Sequence, residues 1–356
     1  MAQSIPGTPN VSPPSGTPGF FDAHLDLAYI AELGRDLHAP LDDCRGKLLP
    51  AAVTLPSLRD APVAACLATV FTEAVGPSGS MLGDDSSAEA ASYPEGDALA
   101  ARAAGLRQLK LYQSWVRAGA VASLRDATSK ATPRLGVLIE NADPVESPDA
   151  LEEEWINDEA PLVAVGMTWH KPGRYAHGNS VTENLGITDL GRELVKRLDA
   201  HQIVHDVSHL NRKSFDELFD LAQGPIVATH SNCAALVDPE NHRHLTDEQI
   251  KRLVDRGAVI GLNFLSKFLT NEDRRATIDD AVRHVEHVCE IAGHRNAVGL
   301  GTDMDGGVSR NALPEGIDLP ERLPRLLDGL RDIGWSDNDL AGFAFGNWAR
   351  VFNVTP

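Results

Sequence analysis

The stretch PLVAVGMTW, residues 161–169, is apolar almost without interruption and stops against the polar run that begins at His170. A strand with one wet face alternates apolar and polar side chains, whereas a strand covered on both faces reads as one continuous apolar run. The stretch therefore predicts an interior strand of a parallel sheet. Seven more short runs bounded by polar or turn residues accompany it: GFFDAH (19–24), AACLATVF (64–71), RLGVLIE (134–140), IVHDVSH (203–209), PIVATH (225–230), AVIGLNF (258–264) and AVGLGTD (297–303). Helical patterns lie between them. In LTDEQIKRLVDRGAV, Thr246 and Gln249 fit a capping box, Leu245 and Ile250 a hydrophobic staple, and Gly257 a carboxy-terminal cap. From Asp189 to Leu198, the spacing of Leu190, Leu194 and Leu198 sets one apolar stripe toward a sheet.

No linker-like change of composition interrupts this series. Eight strands alternating with helices over about 285 residues predict an α/β chain folded as a single (β/α)8 TIM barrel, with a doubly wound open sheet as the alternative. The opening MAQSIPGTPNVSPPSGTPG is rich in Pro, Gly and Ser and has neither the basic nor the apolar region of a signal peptide. Residues 1–18 are therefore expected to be a disordered N-terminal tail and 19–356 the barrel. Two segments are too long and polar for ordinary connections, 72–96 after the second strand and 170–184 after the fourth. Both read as extended βα loops on the side where barrel active sites are built.

Composition narrows the functional classes. A formal net charge of -19 argues against nucleic acid and against an anionic membrane surface, since both attract lysine and arginine. No run of about 18 apolar residues is present to cross a membrane, so a cytoplasmic protein is expected. Cys44, Cys66, Cys233 and Cys289 are scattered and form no C-x-x-C pair. A reduced interior suits them, with two disulfides as the alternative.

In the barrel reading, the carboxyl ends of the strands present His24 and Asp26, Glu140, Trp169 and His170, His209, His230, and Asp303. His24 and Asp26 are two apart, so on a strand their side chains share a face and converge. Taken singly, each histidine reads as readily as a core or surface residue. On one rim, three histidines, an aspartate and a bridging glutamate suffice for two divalent metals, which generate a hydroxide at neutral pH and polarise the carbonyl it attacks. Amide hydrolysis is the natural use.

These motifs resemble, in order and over nearly the whole chain after the tail, the membrane dipeptidase (renal dipeptidase) family of zinc metallopeptidases among the amidohydrolase-like barrels. DAHLD looks like the family's D-G-H-N-D, GVLIEN its I-E-G segment, DVSH its D-L-S-H and THSN its S-H-S-N. HLTDEQI, VGLGTDMDG and GNWARVF look like its R-N-L-T-D-E-Q, V-G-I-G-S-D-F-D-G and G-x-N-x-x-R-V-F. The resemblance implies a metallo-dipeptidase with two zinc ions per chain: His24 and Asp26 on one ion, His209 and His230 on the other, Glu140 bridging. A metal-bridging hydroxide would attack the scissile carbonyl, and Asp303 would carry its proton to the leaving amine. Arg243 would hold the substrate's terminal carboxylate, although two extra residues separate it from His230 compared with the family spacing. The family's L-T-H histidine, which steadies the substrate carbonyl, aligns with Trp169. His170 follows one residue later and faces the other way on a regular strand, so either a bulge re-aims it or Trp169 takes the position as a stacking wall. Short peptides, with tolerance for a D-residue at the carboxyl side, are the implied substrates, and a homodimer is a family-level expectation. Deacylation of N-acyl amino acids, lactone hydrolysis, and a metal-binding barrel without efficient turnover are the competing readings.

Most of the other candidate histidines read as structural. His284 and His287 belong to a helix as packing or surface residues, while His177, His242 and His244 fall in solvated loops. His205, beside Asp206, is a candidate to orient a ligand from behind.

Overall fold

The computed structural model describes residues 19–76, 79–80, 91–129 and 133–355; the expected tail, 1–18, lies outside them. A strand forms on each of the eight apolar runs, within a residue of its limits or inside them: β1 (Phe20–Leu25), β2 (Val63–Val70), β3 (Arg134–Ile139), β4 (Leu162–Gly166), β5 (Val204–Asp206), β6 (Ile226–Val227), β7 (Ile260–Leu262) and β8 (Val298–Leu300). All pairings among them are parallel, in the order β7-β8-β1-β2-β3-β4-β5-β6. A parallel bridge between Ala228 and Ile260 joins the two ends. The open-sheet alternative therefore fails, and the sheet is a nearly closed barrel.

The seam is tight because two glycines make it so. A Cβ at Gly261 or Gly301 would overlap the carbonyl oxygen of Thr229. With glycine there, the Gly261 amide donates to the Ala228 carbonyl at 2.8 Å and the Ser231 amide to the Gly261 carbonyl at 2.9 Å. Near the other end of the chain, the helix Asn347–Phe352 lays Trp348 against Gly299, and the Trp348 indole N–H donates to the Leu300 carbonyl at 2.8 Å.

The best-punctuated helix forms as its sequence predicts. Thr246 and Gln249 close both halves of a capping box ahead of Asp247–Asp255, and Gly257 follows its end at φ +78. Asp189–Ala200 buries Leu194 and Leu198 and half-buries Leu190. Of the long segment after β2, the described part supplies two short parallel-paired strands, Glu73–Val75 and Ser92–Pro94. The four cysteines are buried free thiols, so the disulfide alternative is overturned.

His244 is a correction: it is buried, with its ring set edge-on to Phe268 at 5.1 Å, rather than in a solvated loop. His177 is half-buried and its Nδ1 lies 2.6 Å from the Gly186 carbonyl oxygen. His287 pairs with Asp247 at 2.8 Å. His284 packs as expected: its Nδ1 accepts from the Cys233 amide at 3.1 Å and its Nε2 faces the Leu269 carbonyl oxygen at 3.3 Å.

The neutral His284 ring thus has both nitrogens satisfied, and burial pushes its imidazole down to about 4. A folded value below the unfolded one means that this contribution is complete above about pH 6.5 and is lost as pH falls toward 4, where the folded state also takes the proton. In urea titrations, the stability advantage of the wild type over His284→Gln should shrink by about 3 kcal/mol across that window. A pH-independent difference would refute the assignment.

Candidate active site and metal centre

The predicted rim residues meet where the strands end. His24 is on β1, and Asp26 follows it as the first residue before the helix Leu27–Glu32, with its Oδ1 accepting from the Thr69 hydroxyl. Glu140 follows β3 directly. His209 and Asp303 sit in turns at φ +69 and +59, a conformation that side chains other than glycine seldom adopt. Specific bonds hold them there. The Asp303 amide donates to the His24 carbonyl at 3.1 Å, and its Oδ2 accepts from the Asn263 amide group at 2.8 Å. His209 Nδ1 lies 3.3 Å from Asn179 Oδ1.

Glu140 is central. Its Oε1 is 3.1 Å from His209 Nε2 and 3.4 Å from His230 Nε2, and its Oε2 is 3.5 Å from His24 Nε2. His24 Nε2 is also 3.8 Å from Asp26 Oδ2. The Nε2 atoms of His209 and His230 face each other at 2.9 Å, and the rings of His24 and His230 stack with centroids 3.6 Å apart. Donor atoms of His24, Glu140 and His230 form one group within 4.8 Å of one another, and those of His24, Asp26 and Asp303 form a second.

This arrangement calls for positive charge. Burial opposes a proton on His24, yet Glu140, Asp26 and Asp303 outweigh it and push the imidazole up to about 10. Burial drives His209 down to about 3, helped by the Arg243 charge, and holds His230 well below the usual histidine range. Burial and the Glu140 charge raise the Asp26 carboxyl. His24 Nε2 and Glu140 Oε2 are buried without a hydrogen-bond partner. Imidazole nitrogens and carboxylates aimed at one region, two of them unsatisfied by protein, fit ligation of divalent cations.

A cavity of about 310 Å³ opens onto this cluster. Asp26, Glu140, His209 and Asp303 reach its lining, whereas His24 and His230 are fully buried outside it. Trp169 lines the cavity, edge-on to Phe71 at 5.1 Å and with its ring 6.1 Å from His209. His170 lines it too. Strand alternation does not separate the pair because β4 ends at Gly166, and the chain turns back so that the Ser180 amide donates to the His170 carbonyl at 3.0 Å. Arg243 is buried at the cavity, its Nη2 donating to the His230 carbonyl at 2.7 Å and its Nη1 to Ser231 Oγ at 3.2 Å. The displaced arginine therefore reaches the site despite its spacing.

His205 is a second correction. Its Nε2 pairs with Asp199 at 2.8 Å, away from the cluster. The residue beside it, Asp206, reaches the ligand candidates through the Thr229 hydroxyl. Other supporting residues had no distinctive sequence signal. Asp22 accepts from the Thr302 amide and hydroxyl at 2.8 and 2.5 Å, and burial raises its carboxyl to about 6. Asp305, at φ +63 two residues after Asp303, pairs with buried Arg35 at 3.0 Å and accepts from the Val53 amide at 2.8 Å.

The sequence model of the membrane dipeptidase family, peptidase family M19, matches residues 18–355. The chain belongs to this family. By family it is a metallo-dipeptidase. Among curated relatives, an uncharacterised protein encoded beside pqqA in Klebsiella pneumoniae is 34% identical over 197 residues, 53% of this chain and 70% of that one. An uncharacterised protein of the PQQ-III region of Acinetobacter calcoaceticus is 32% identical over 180 residues, 48% of this chain and 56% of the relative. An uncharacterised dipeptidase of Schizosaccharomyces pombe is 28% identical, and the alignment spans only 41% of its length.

A metallo peptidase of Rhodobacter sphaeroides, solved with a phosphinate mimic of the dipeptide L-Ala-D-Ala, shares the fold. The two superpose with a TM-score of 0.75 at 24% identity over 96% of this chain and 100% of that one. The probable dipeptidase PvdM of Pseudomonas aeruginosa gives a TM-score of 0.74 at 18% identity over 94% of each chain. No helix among the described residues is long and apolar enough to cross a membrane.

The Arg35–Asp305 pair yields a direct prediction. Removing one partner leaves a buried charge alone, so Asp305→Ala should cost about 3 kcal/mol or more in chemical denaturation, whereas exposed Asp60→Ala should cost under about 0.5 kcal/mol. Equal losses in the two variants would refute a stabilising role for the pair.

Proposed function

We propose that this chain is a zinc-dependent dipeptidase that cleaves short peptides, L-D dipeptides included. The placement of Glu140 among three imidazoles, with Asp303 beside His24 and Asp26 at an open cavity, carries this reading. His24 and Asp26 would hold one ion, His209 and His230 the other, and Glu140 both. Bound there, two zinc ions supply an activated water at neutral pH and polarise the carbonyl.

The protein's own groups then account for binding and proton movement. Arg243 and Lys267 both stand over the ring of Phe268, their charged ends 5.3 and 5.2 Å from its centroid, and together mark the end of the cavity for the substrate carboxylate. Phe71 and Trp169 form an apolar wall that limits water, and His170, which also lines the cavity, would steady the carbonyl oxygen. Asn263 fixes one oxygen of Asp303. Burial raises the Asp303 carboxyl, against the pull of His24. In the hydrolysis, water adds to the carbonyl carbon, Asp303 takes its proton and returns it to the amide nitrogen, and the C–N bond breaks.

The Rhodobacter enzyme's dipeptide mimic supports an L-D substrate. A single barrel domain over 19–356, a cytoplasmic location and a homodimer complete the proposal, resting on composition and family.

The test is zinc content together with amino acid release from L-L and L-D dipeptides, with and without chelator. Two zinc ions and chelator-sensitive cleavage are expected, and Asp303→Asn should keep the zinc while losing about two to four orders of magnitude in kcat. Zinc without dipeptide cleavage would move the assignment to N-acyl amino acids, lactones or a barrel lacking turnover. Arg243→Met should raise KM at least about tenfold for free dipeptides and far less for their carboxy-amidated forms. An equal effect on both would remove Arg243 from carboxylate binding.

A further inference from the structure

Thr229 stands where two imidazoles converge. Its Oγ1 donates to Asp206 Oδ2 at 2.5 Å and lies 2.9 Å from His230 Nδ1 and 3.4 Å from His24 Nδ1. A hydroxyl has one proton to give and two lone pairs to accept with. With its proton committed to Asp206, the oxygen is left to accept from both Nδ1–H groups at once. In its neutral form each ring so held carries its lone pair on Nε2, the nitrogen that faces the carboxylate cluster. Among the described residues, neither Nδ1 has another hydrogen-bond partner.

The hydroxyl is itself held from two sides. Asp206 Oδ1 accepts from the amides of Thr229 at 2.9 Å and Ser208 at 3.0 Å, so one carboxylate grips both main chain and side chain of Thr229. The Thr229 carbonyl packs so closely against Gly261 and Gly301 that a Cβ on either would overlap it. Asp206 and Thr229 are both buried.

We propose that the Thr229 hydroxyl is one positioning group shared by both ion sites, fixing the tautomers of His24 and His230 together. This rests on the ligand assignment above, in which those two histidines serve different ions. Loss of the hydroxyl should therefore weaken both ions, whereas a support private to His230 would weaken one. Thr229→Val keeps the shape and removes the hydrogen bonds, and Thr229→Ser restores them.

The experiment is competition of zinc-loaded protein with a chromophoric chelator, read as two stepwise affinities. Thr229→Val should lose about 10- to 100-fold in both affinities, and Thr229→Ser should recover both to within about threefold of wild type. A fall in one affinity alone, or in neither, overturns the proposal. A wild type that fails to hold two zinc ions overturns the ligand assignment instead. Should Thr229→Val not fold, the zinc-loaded wild type decides by proton NMR. Ring N–H protons of both His24 and His230 should show nuclear Overhauser contacts to the Thr229 side chain, and a contact from His230 alone overturns sharing.

Discussion

The organising constraint is the burial of Glu140 among His24, His209 and His230. A carboxylate taken out of water must be compensated by positive charge or by hydrogen-bond donors. Here the compensation comes from imidazoles on three other strand ends, with Asp26 and Asp303 adding further negative charge nearby. No single loop could supply groups from such separate parts of the chain. A barrel can, because every carboxyl end shares one rim. Much of the remaining architecture serves to keep that rim from relaxing. Asp22 ties β1 to the turn after β8, Asp206 ties β5 to the turn after β6, and Arg35 with Asp305 ties the loop after β1 to the loop after β8.

The fold was legible because buried parallel strands leave continuous apolar runs, and a strand forms on each of the eight. Strand limits were less legible. PLVAVGMTW suggests a strand as far as Trp169, but hydrogen bonding stops at Gly166. That early stop is why Trp169 and His170 both reach the cavity, an outcome that alternation along a strand forbids. Apolar character continues past the ladder because these residues line a cavity as well as a core.

The ligand candidates were legible as an ordered set and not as single residues. The groups behind them were not. Asp206 and Thr229 are common residue types in short motifs, and nothing in their spacing shows that a hydroxyl on one strand end meets a ring on another. His205 drew attention for its chemistry, yet side-chain direction assigned the supporting role to its neighbour. Arg243 illustrates the converse: a shifted spacing argued against it, but the loop bringing it to Ser231 and the His230 carbonyl absorbs the difference.

β1 lies between β2 and β8 in the closed sheet, with Asp22 paired to Leu300. The strand bearing His24, with Asp26 just past its end, therefore gains its second neighbour only once β8, the last of the eight strands in sequence, is in place. The group containing Asp303 likewise spans the first and last strands. A chain that stops before β8 carries all five proposed ion ligands but lacks Asp303 and the strand that flanks β1. Under the proposed assignment, hydrolysis rather than ion capture would therefore wait for the closing strand.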